Sequence, residues 1–429
     1  MGLCWSGIEP DPDAEPMKVL LSAYACEPLA GSEPGKGWLF ATALARQGCD
    51  VTVLTCGSHH RDVIARHCAA HPPPGKLRFA FHDVPRWPGP GYKDARHIRQ
   101  HYMAWQMTAR GRVRRMLRDD SFDVIHHLTW TVLRWPSFLG GLGPRFVFGP
   151  VGGGAVAPMA LRPSFPPGSV RRERLRDLIN AVSRFDPMVR SCLRRADAIL
   201  VTDPATRALV PARHHPRTHV VADILAPPPM PFVTRIGGDP TLLFVGRLEY
   251  WKGPHLAVMT LAALRAQIPG ARLTIAGSGP EDQALRHQVR QLGLEGAVDF
   301  AGQVPGDRMA ALYAAHDLFL FPSLHDSGPH VIGEALAAAL PVICLDLGGP
   351  GIAVDHSCGA VVPCGDLDAD DLSARLAATC ARLLDDPRAM AQLRVGAQAR
   401  ARDFDADHRA RQTIARFYAP DERECRCCA

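Results

Sequence analysis

The sequence predicts an α/β protein of two domains, each built on a parallel sheet. Three observations predict it. Short β-rich runs alternate with helical patterns, and the alternation occurs twice along the chain. A proline-rich passage, LAPPPMPFVTRIGGDP from Leu225 to Pro240, divides the two series; its prolines can continue neither a helix nor a central strand. At 429 residues the chain exceeds what one ordinary core supports.

In the first series the expected strands are KVLLSAYA from Lys18, DVTVLTC from Asp50, FDVIHHL from Phe122, RFVFGPV from Arg145 and DAILVTD from Asp197, with a helix over Trp38 to Gln47. In the second they are TLLFVGR from Thr241, ARLTIAGSG from Ala271, VDFAGQ, LFLFPSL and PVICLD. Helices are expected from about His255, from Glu281 and over Pro329 to Ala339, and a last periodic segment runs near Asp405 to Tyr418. The expected domains are 17–233 and 240–402. Residues 1–16 are acidic and proline-rich, without the basic start and apolar run of a signal peptide, and read as a disordered extension or as following an upstream start, with Met17 opening the first strand-like run.

Composition narrows the function classes. With 47% hydrophobic and 21% charged residues a sizeable core can be buried. No apolar stretch reaches about 18 residues, so no membrane-spanning helix is expected. The net charge of +6, from 49 basic and 43 acidic residues, does not suggest a nucleic-acid protein but leaves room for an anionic substrate or a membrane surface. Thirteen cysteines without paired CxxC motifs suggest neither a disulfide scaffold nor a zinc site. They fit a reducing cytosol. Cys425, Cys427 and Cys428 fall in an expected frayed tail, 419–429.

The chemistry is expected in loops that follow strands, where open α/β sheets bind ligands. In GRLEYWKG, Arg247 and Lys252 lie five residues apart just past a strand. Two cations there can neutralise a pyrophosphate, on which charge builds as a glycosidic bond to it breaks; by spacing alone they read equally as solvated charges. In SLHDSGPHVIGEALAAALPVI, Asp326 lies in the loop, Gly328 allows close backbone approach and Pro329 suits a first helical position. The free N–H groups of that helix start, toward His330 and Val331, can bind phosphate. Glu334 follows in the second turn. LTIAGSGPEDQAL resembles GxGxxG but has Asp282 at the third glycine, and reads as a tight turn.

In the first half, GSEPGKGW opens a helix whose Gly35 and Gly37 permit backbone approach to a ligand; Lys36 is followed by Gly37, so this is no P-loop. His126 and His127 end a strand, and PVGGG ends the next. Asp366, Asp368 and Asp370 read as helix capping, and no metal site is expected there or at Asp405 and Asp407.

Jointly these phrases resemble a known family. ACEPLAGSEPGKGW, HHLTW, FGPVGGG, FVGRLEYWKG, FPSLHDSG and EALAAALPVICLDLGGP, in this order from Lys18 to about Tyr418, resemble retaining glycosyltransferases of GT-B family 4, closest to bacterial members with an ACEP…GSEPGxGW start. The resemblance implies two Rossmann-like domains facing across a cleft, an N-terminal acceptor domain and a C-terminal donor domain, with the helix about 403–418 returning to the first. It implies transfer of a sugar from a nucleotide-sugar donor (UDP or GDP) with retention and no metal cofactor.

By position, Arg247 and Lys252 would contact the diphosphate, Glu334 the ribose, and Asp326, in place of the more usual Glu, the donor sugar. Gly35 and Gly37 would face the donor, as would the start of the second-domain helix at Gly328, Pro329, His330 and Val331. His127 would be the cleft histidine, with His126 as the alternative. Ala339 stands where the family's helix normally ends in glycine, and Gly333 where a larger residue is usual.

The acceptor is expected to be a glycan or lipid-linked intermediate of cell-surface polysaccharide, with a soluble antibiotic aglycone as the rival. The basic segments Arg110–Arg118 and Arg171–Arg176 suggest peripheral contact with an anionic inner membrane face. A non-catalytic nucleotide-sugar-binding subunit is the rival outside enzymes.

Overall fold

The computed structural model describes residues 15–85, 97–130, 132–232 and 237–419. The cysteine tail, residues 1–14 of the expected extension and part of the proline-rich passage lie outside the described residues.

The first unit runs β1 (Lys18–Ser22), α1 (Ser32–Arg46), β2 (Asp50–Cys56), α2 (Gly57–Ala70), β3 (Lys76–His82), α3 (Ile98–Asp119), β4 (Val124–His127), β5 (Arg145–Val151), α4 (Pro167–Ser183), α5 (Pro187–Arg195), β6 (Ala198–Val201), α6 (Pro204–Leu209) and β7 (Thr218–Val220). Its seven strands pair in parallel in the order β3-β2-β1-β4-β5-β6-β7. The second unit runs β8 (Thr241–Val245), α7 (Pro254–Arg265), β9 (Arg272–Ala276), α8 (Asp282–Gln291), β10 (Val298–Gly302), α9 (Gly306–Ala314), β11 (Leu318–Phe321), α10 (His330–Ala337), β12 (Val342–Leu345), α11 (Pro350–Ala353) and β13 (Gly359–Val362). Its six strands are also parallel, in the order β10-β9-β8-β11-β12-β13. The chain closes with α12 (Ala369–Leu384), α13 (Pro387–Asp403) and α14 (Ala406–Thr413), the last running into a π-turn over Ile414–Tyr418. The two-domain parallel α/β architecture read from the sequence is the one observed.

Strand order reverses between β1 and β4 in the first sheet and between β8 and β11 in the second. The loops leaving these four strands are AYACEPLAG, LTW, GRLEYWKG and PSLHDSGP. Each flanks a topological switch point, where such sheets form a crevice.

Three strands escaped the sequence: β3, β7 and β13, all at sheet edges. The first helix starts at Ser32 rather than Trp38, so Gly35 and Gly37 lie inside it. Pro329 is not the first helical residue of α10 but its extended N-cap (φ −77°, ψ 101°). At the other end Ala339 takes a left-handed φ of 57°. There the Ala339 N–H donates to Leu336 O (3.0 Å) and the Leu340 N–H to Ala335 O (2.9 Å), a Schellman closure. Asp368 and Asp405 cap α12 and α14.

The division at 17–233 is not clean. Ala157, Leu161 and Phe165 leave β5 and bury themselves in the core of the second unit. Phe165 lies against Tyr250, ring centroids 5.1 Å apart. At the far end Ala406, Ala410, Phe417 and Tyr418 pack into the first unit's core, and Arg46 holds Asp407 at 2.8 Å. On α3, Trp105 and Val113 are fully buried and Met116 and Leu117 pack half-buried against the first unit's core, whereas Met107 is 59% exposed.

Candidate functional site

The β8 and β11 loops are stitched together. The backbone N–H of Leu324 and the Ser323 hydroxyl both donate to Trp251 O (2.8 and 3.3 Å). Gly253 sits at φ 74°, and a Cβ there would stand 2.1 Å from Pro322 O, so only glycine lets the loops meet this closely. This closeness brings Lys252 and Asp326 into direct contact. The Lys252 ammonium lies 4.6 Å from the Trp251 ring centroid and 5.4 Å from that of Phe321. His325 stacks on Trp251 at 5.1 Å and 16°. A cation and a carboxylate, 15% and 12% exposed, therefore share one spot at the switch point. Arg247, from the same loop as Lys252, has a side chain 72% exposed, its Nε 3.2 Å from Glu249.

The start of α10 is pinned to the segment between the domains. A Cβ on Gly328 would lie 2.3 Å from Asp223 O, and one on Gly333 2.7 Å from Leu225 O; this backbone approach explains why Gly333 cannot be larger. The His330 Nδ1 accepts from the Leu225 N–H at 3.2 Å, which engages its side chain with this segment. Val331 is half-buried beside it. Glu334 accepts a hydrogen bond from the Tyr313 hydroxyl at 2.8 Å.

Across the crevice, the glycines of α1 are used by packing inside the first domain. A Cβ on Gly35 would stand 1.9 Å from Ala30 O, and one on Gly37 2.4 Å from Ala25 O. Lys36, only 3% exposed, holds Asp223 with Nζ–O distances of 2.9 and 3.1 Å, and Glu33 at 3.4 Å. Burial alone would lower this ammonium, but the charges of Asp223 and Glu33 outweigh it and raise its pKa. A loop expected to approach a ligand thus also clamps the interdomain segment. The PVGGG loop meets the β11 loop directly: a Cβ on Gly152 would lie 2.1 Å from Ser327 Oγ.

The expectation that His127 opens on the cleft is corrected. Its ring is fully buried, hydrogen-bonded to the hydroxyls of Ser22 (3.1 Å) and Tyr102 (3.0 Å) and to Gln106 (3.0 Å). His126 is equally enclosed, between the Tyr418 hydroxyl and Gly149 O, both at 2.7 Å. Successive strand residues point to opposite faces, and here both faces are covered by helices. Burial pushes the two rings down, to about 4 for His126 and about 3 for His127, so both are neutral.

Sequence reasoning missed Glu173. It projects from α4 of the first domain into the second, is 1% exposed, and accepts from the Tyr250 hydroxyl (2.7 Å) and His325 Nε2–H (3.1 Å). One carboxylate thus grips both switch-point loops, next to Lys252 and Asp326. Burial raises its carboxyl pKa, but the His325 hydrogen bond and charge, the Tyr250 hydrogen bond and the Arg176 charge overcome this and hold it at about 2. Within the Arg-rich run its sequence looks like any solvated helical Glu. Among the described residues one grouping, Glu27, His59 and His60, brings three potential metal-ligand atoms within 4.8 Å of one another. The Glu27–His60 contact of 3.3 Å also accounts for it as a hydrogen bond.

Residues 38–222 match the family model "Glycosyl transferase 4-like domain" and residues 230–401 the model "Glycosyl transferases group 1". Glycogen synthase of Mycobacterium tuberculosis is 37% identical over 169 residues, 39% of this chain and 40% of that protein. The 2-deoxystreptamine glucosyltransferase of Streptomyces kanamyceticus is 33% identical over 181 residues, 42% of this chain and 46% of that one. The matches therefore span less than half the length of these curated relatives. Among solved structures, sucrose-phosphate synthase from Thermosynechococcus elongatus shares the fold with a TM-score of 0.62 at 20% identity, over 96% of this chain and 100% of that one. Anabaena HepE, solved in complex with UDP and glucose, does so with a TM-score of 0.54 at 17% identity, over 93% and 100%. With its two parallel-sheet domains matched in succession by these two models, the chain belongs to the GT-B glycosyltransferases.

Proposed function

We propose that the chain is a retaining family-4 enzyme that transfers a sugar from a UDP- or GDP-sugar to a lipid-linked or cell-surface glycan intermediate. The observation that carries this reading is the Lys252–Asp326 contact at the β8/β11 switch point, with Arg247 exposed beside it. A nucleotide sugar joins a charged diphosphate to a neutral, hydroxyl-rich ring. A cation touching a carboxylate suits that junction: Lys252 and Arg247 meet the phosphates, and Asp326 accepts from sugar hydroxyls. Glu334 accepts from the ribose. As the glycosidic bond breaks, the fixed cations stabilise charge growing on the leaving diphosphate, and orientation of the acceptor supplies much of the remainder. The two cations take the role that a divalent ion would otherwise fill, so the reaction needs no metal. The enzyme works in the cytoplasm, with the acceptor met by the first domain at the inner membrane face.

The test is release or transfer of sugar from UDP- and GDP-sugars by the full chain, with and without EDTA. Lys252→Ala loses a charge-assisted contact of about 1.5–3 kcal/mol, so turnover is expected to fall about 10- to 150-fold, with the rate in EDTA unchanged. Undiminished turnover in a folded Lys252→Ala protein would sink the assignment. The 2-deoxystreptamine glucosyltransferase relative from Streptomyces favours one second reading, a soluble aminocyclitol acceptor; efficient transfer to such a compound in solution would establish it.

A further inference from the structure

Helix α4 is amphipathic with its apolar side turned outward. Leu175, Leu178, Ile179 and Val182 recur at helical spacing and are 58, 60, 46 and 55% exposed, and Phe185 just beyond the helix is 61% exposed. The opposite face does the packing, and apart from Val170 it does so with polar groups. Glu173 holds Tyr250 and His325, Asn180 Nδ2–H donates to Gly153 O at 2.6 Å, and Arg176 donates to Ala155 O at 2.8 Å. These contacts fix the rotation of the helix and leave its apolar stripe without a core to enter.

The exposed charges of α4 itself have one sign. The two carboxylates of α4 are withdrawn: Glu173 is buried, and Asp177 pairs with Arg162. Arg171, Arg172, Arg174 and Arg184 are all exposed. By helical spacing Arg171 and Arg172 stand over the same side as Leu175 and Ile179. An apolar strip bordered by the exposed arginines of its own helix complements an anionic lipid surface, with side chains entering the acyl boundary and guanidinium groups meeting headgroup phosphates.

We propose that α4 lies lengthwise on an anionic bilayer and is the membrane-docking element of the protein. The inference deepens the reading above of a membrane-borne acceptor, and rests on it for its purpose. Because Glu173 on the inner side of the same helix grips both donor loops, docking sets the crevice directly at the lipid surface.

The experiment is flotation of the full chain with vesicles of phosphatidylcholine alone and with one-third phosphatidylglycerol, without donor or acceptor, at low and high salt. Binding to the anionic vesicles is expected, falling at least tenfold in Leu178→Gln/Val182→Gln and in Arg171→Gln/Arg172→Gln. Both pairs are exposed, so circular dichroism and donor hydrolysis in solution should match the parent protein. Equal flotation of the Leu178→Gln/Val182→Gln protein overturns the proposal, as does equal binding to neutral vesicles. A stripe-dependent dimer seen by light scattering without lipid also overturns it, by giving the face to a second copy. A protein that hydrolyses donor but never floats fails this inference alone; one that floats but releases sugar from no donor fails the functional reading alone.

Discussion

Replacing Glu173 by Gln tests whether the interdomain grip depends on charge. The carboxyl sits at about 2 in the folded protein against an ordinary 4.5. At about 1.36 kcal/mol per unit this corresponds to about 3 kcal/mol of stability, and with 1% exposure little of it is screened. The folded value is the depressed one, so the contribution is complete above pH 4.5 and is lost as pH falls toward 2. By pH 3 roughly 2 kcal/mol of it should be gone. Urea unfolding of parent and Glu173→Gln proteins at several pH values between 6 and 3 reads this directly. Near pH 6 the variant should be less stable by about 2–3 kcal/mol, with the residual hydrogen bonding of Gln offsetting the rest, and the gap should narrow as pH drops. A gap that stays constant over this range, or one below about 1 kcal/mol at pH 6, would refute the argument. Since the two partners sit in the loops of Lys252 and Asp326, the donor KM should rise with the loss of stability.

Three further outcomes follow from other contacts. Ala337 and Ala339 are both fully buried, but only Ala339 is left-handed; loss of the methyl and gain of unfolded-state freedom are common to both Gly variants, so Ala339→Gly should be more stable than Ala337→Gly by about 1–2 kcal/mol in urea titrations, and equal values would dismiss backbone strain at 339. Lys36→Met leaves the Asp223 carboxylate without its buried partner and should cost about 3 kcal/mol, with a loss under about 1 kcal/mol counting against the clamp. Glu334→Gln keeps an acceptor for the Tyr313 hydroxyl, so folding should change little while the donor dissociation constant rises about tenfold; calorimetry showing unchanged donor affinity removes Glu334 from the ribose.

What the sequence discloses follows burial. Strands such as DVTVLTC, buried at every position, print as continuous β-rich runs. The missed strands are edges: Lys76–His82 mixes exposed Lys and Arg into its alternation, and Thr218–Val220 has only three residues. The site divides likewise. Arg247, Lys252 and Asp326 lie in short loops after central strands, where topology alone predicts function, and the fold brings Lys252 to Asp326. Lys36–Asp223 and Glu173–His325 join residues 187 and 152 positions apart, and no local pattern separates such groups from solvated charges. The adjacent histidines mislead for a geometric reason: in a strand covered on both sides, neighbours face opposite helical layers rather than the crevice.

The interdomain contacts also set which parts can separate. A Cβ on Gly152 would overlap Ser327, so the two loops leave no space for even a methyl group between them, and a ligand entering there has to part them. Parting the domains hydrates the groups of the Glu173 and Lys36 contacts instead of leaving them buried and unmet, so each hydrogen bond costs its net value of about 0.5–3 kcal/mol rather than a full desolvation penalty. Leu161 and Phe165 behave differently. Their withdrawal from the second domain's core would expose apolar surface worth about 1.5–3 kcal/mol per side chain, with no water-mediated compensation. The cheaper motion keeps the segment from Ala157 to Phe165 seated in the second domain and breaks polar contacts only.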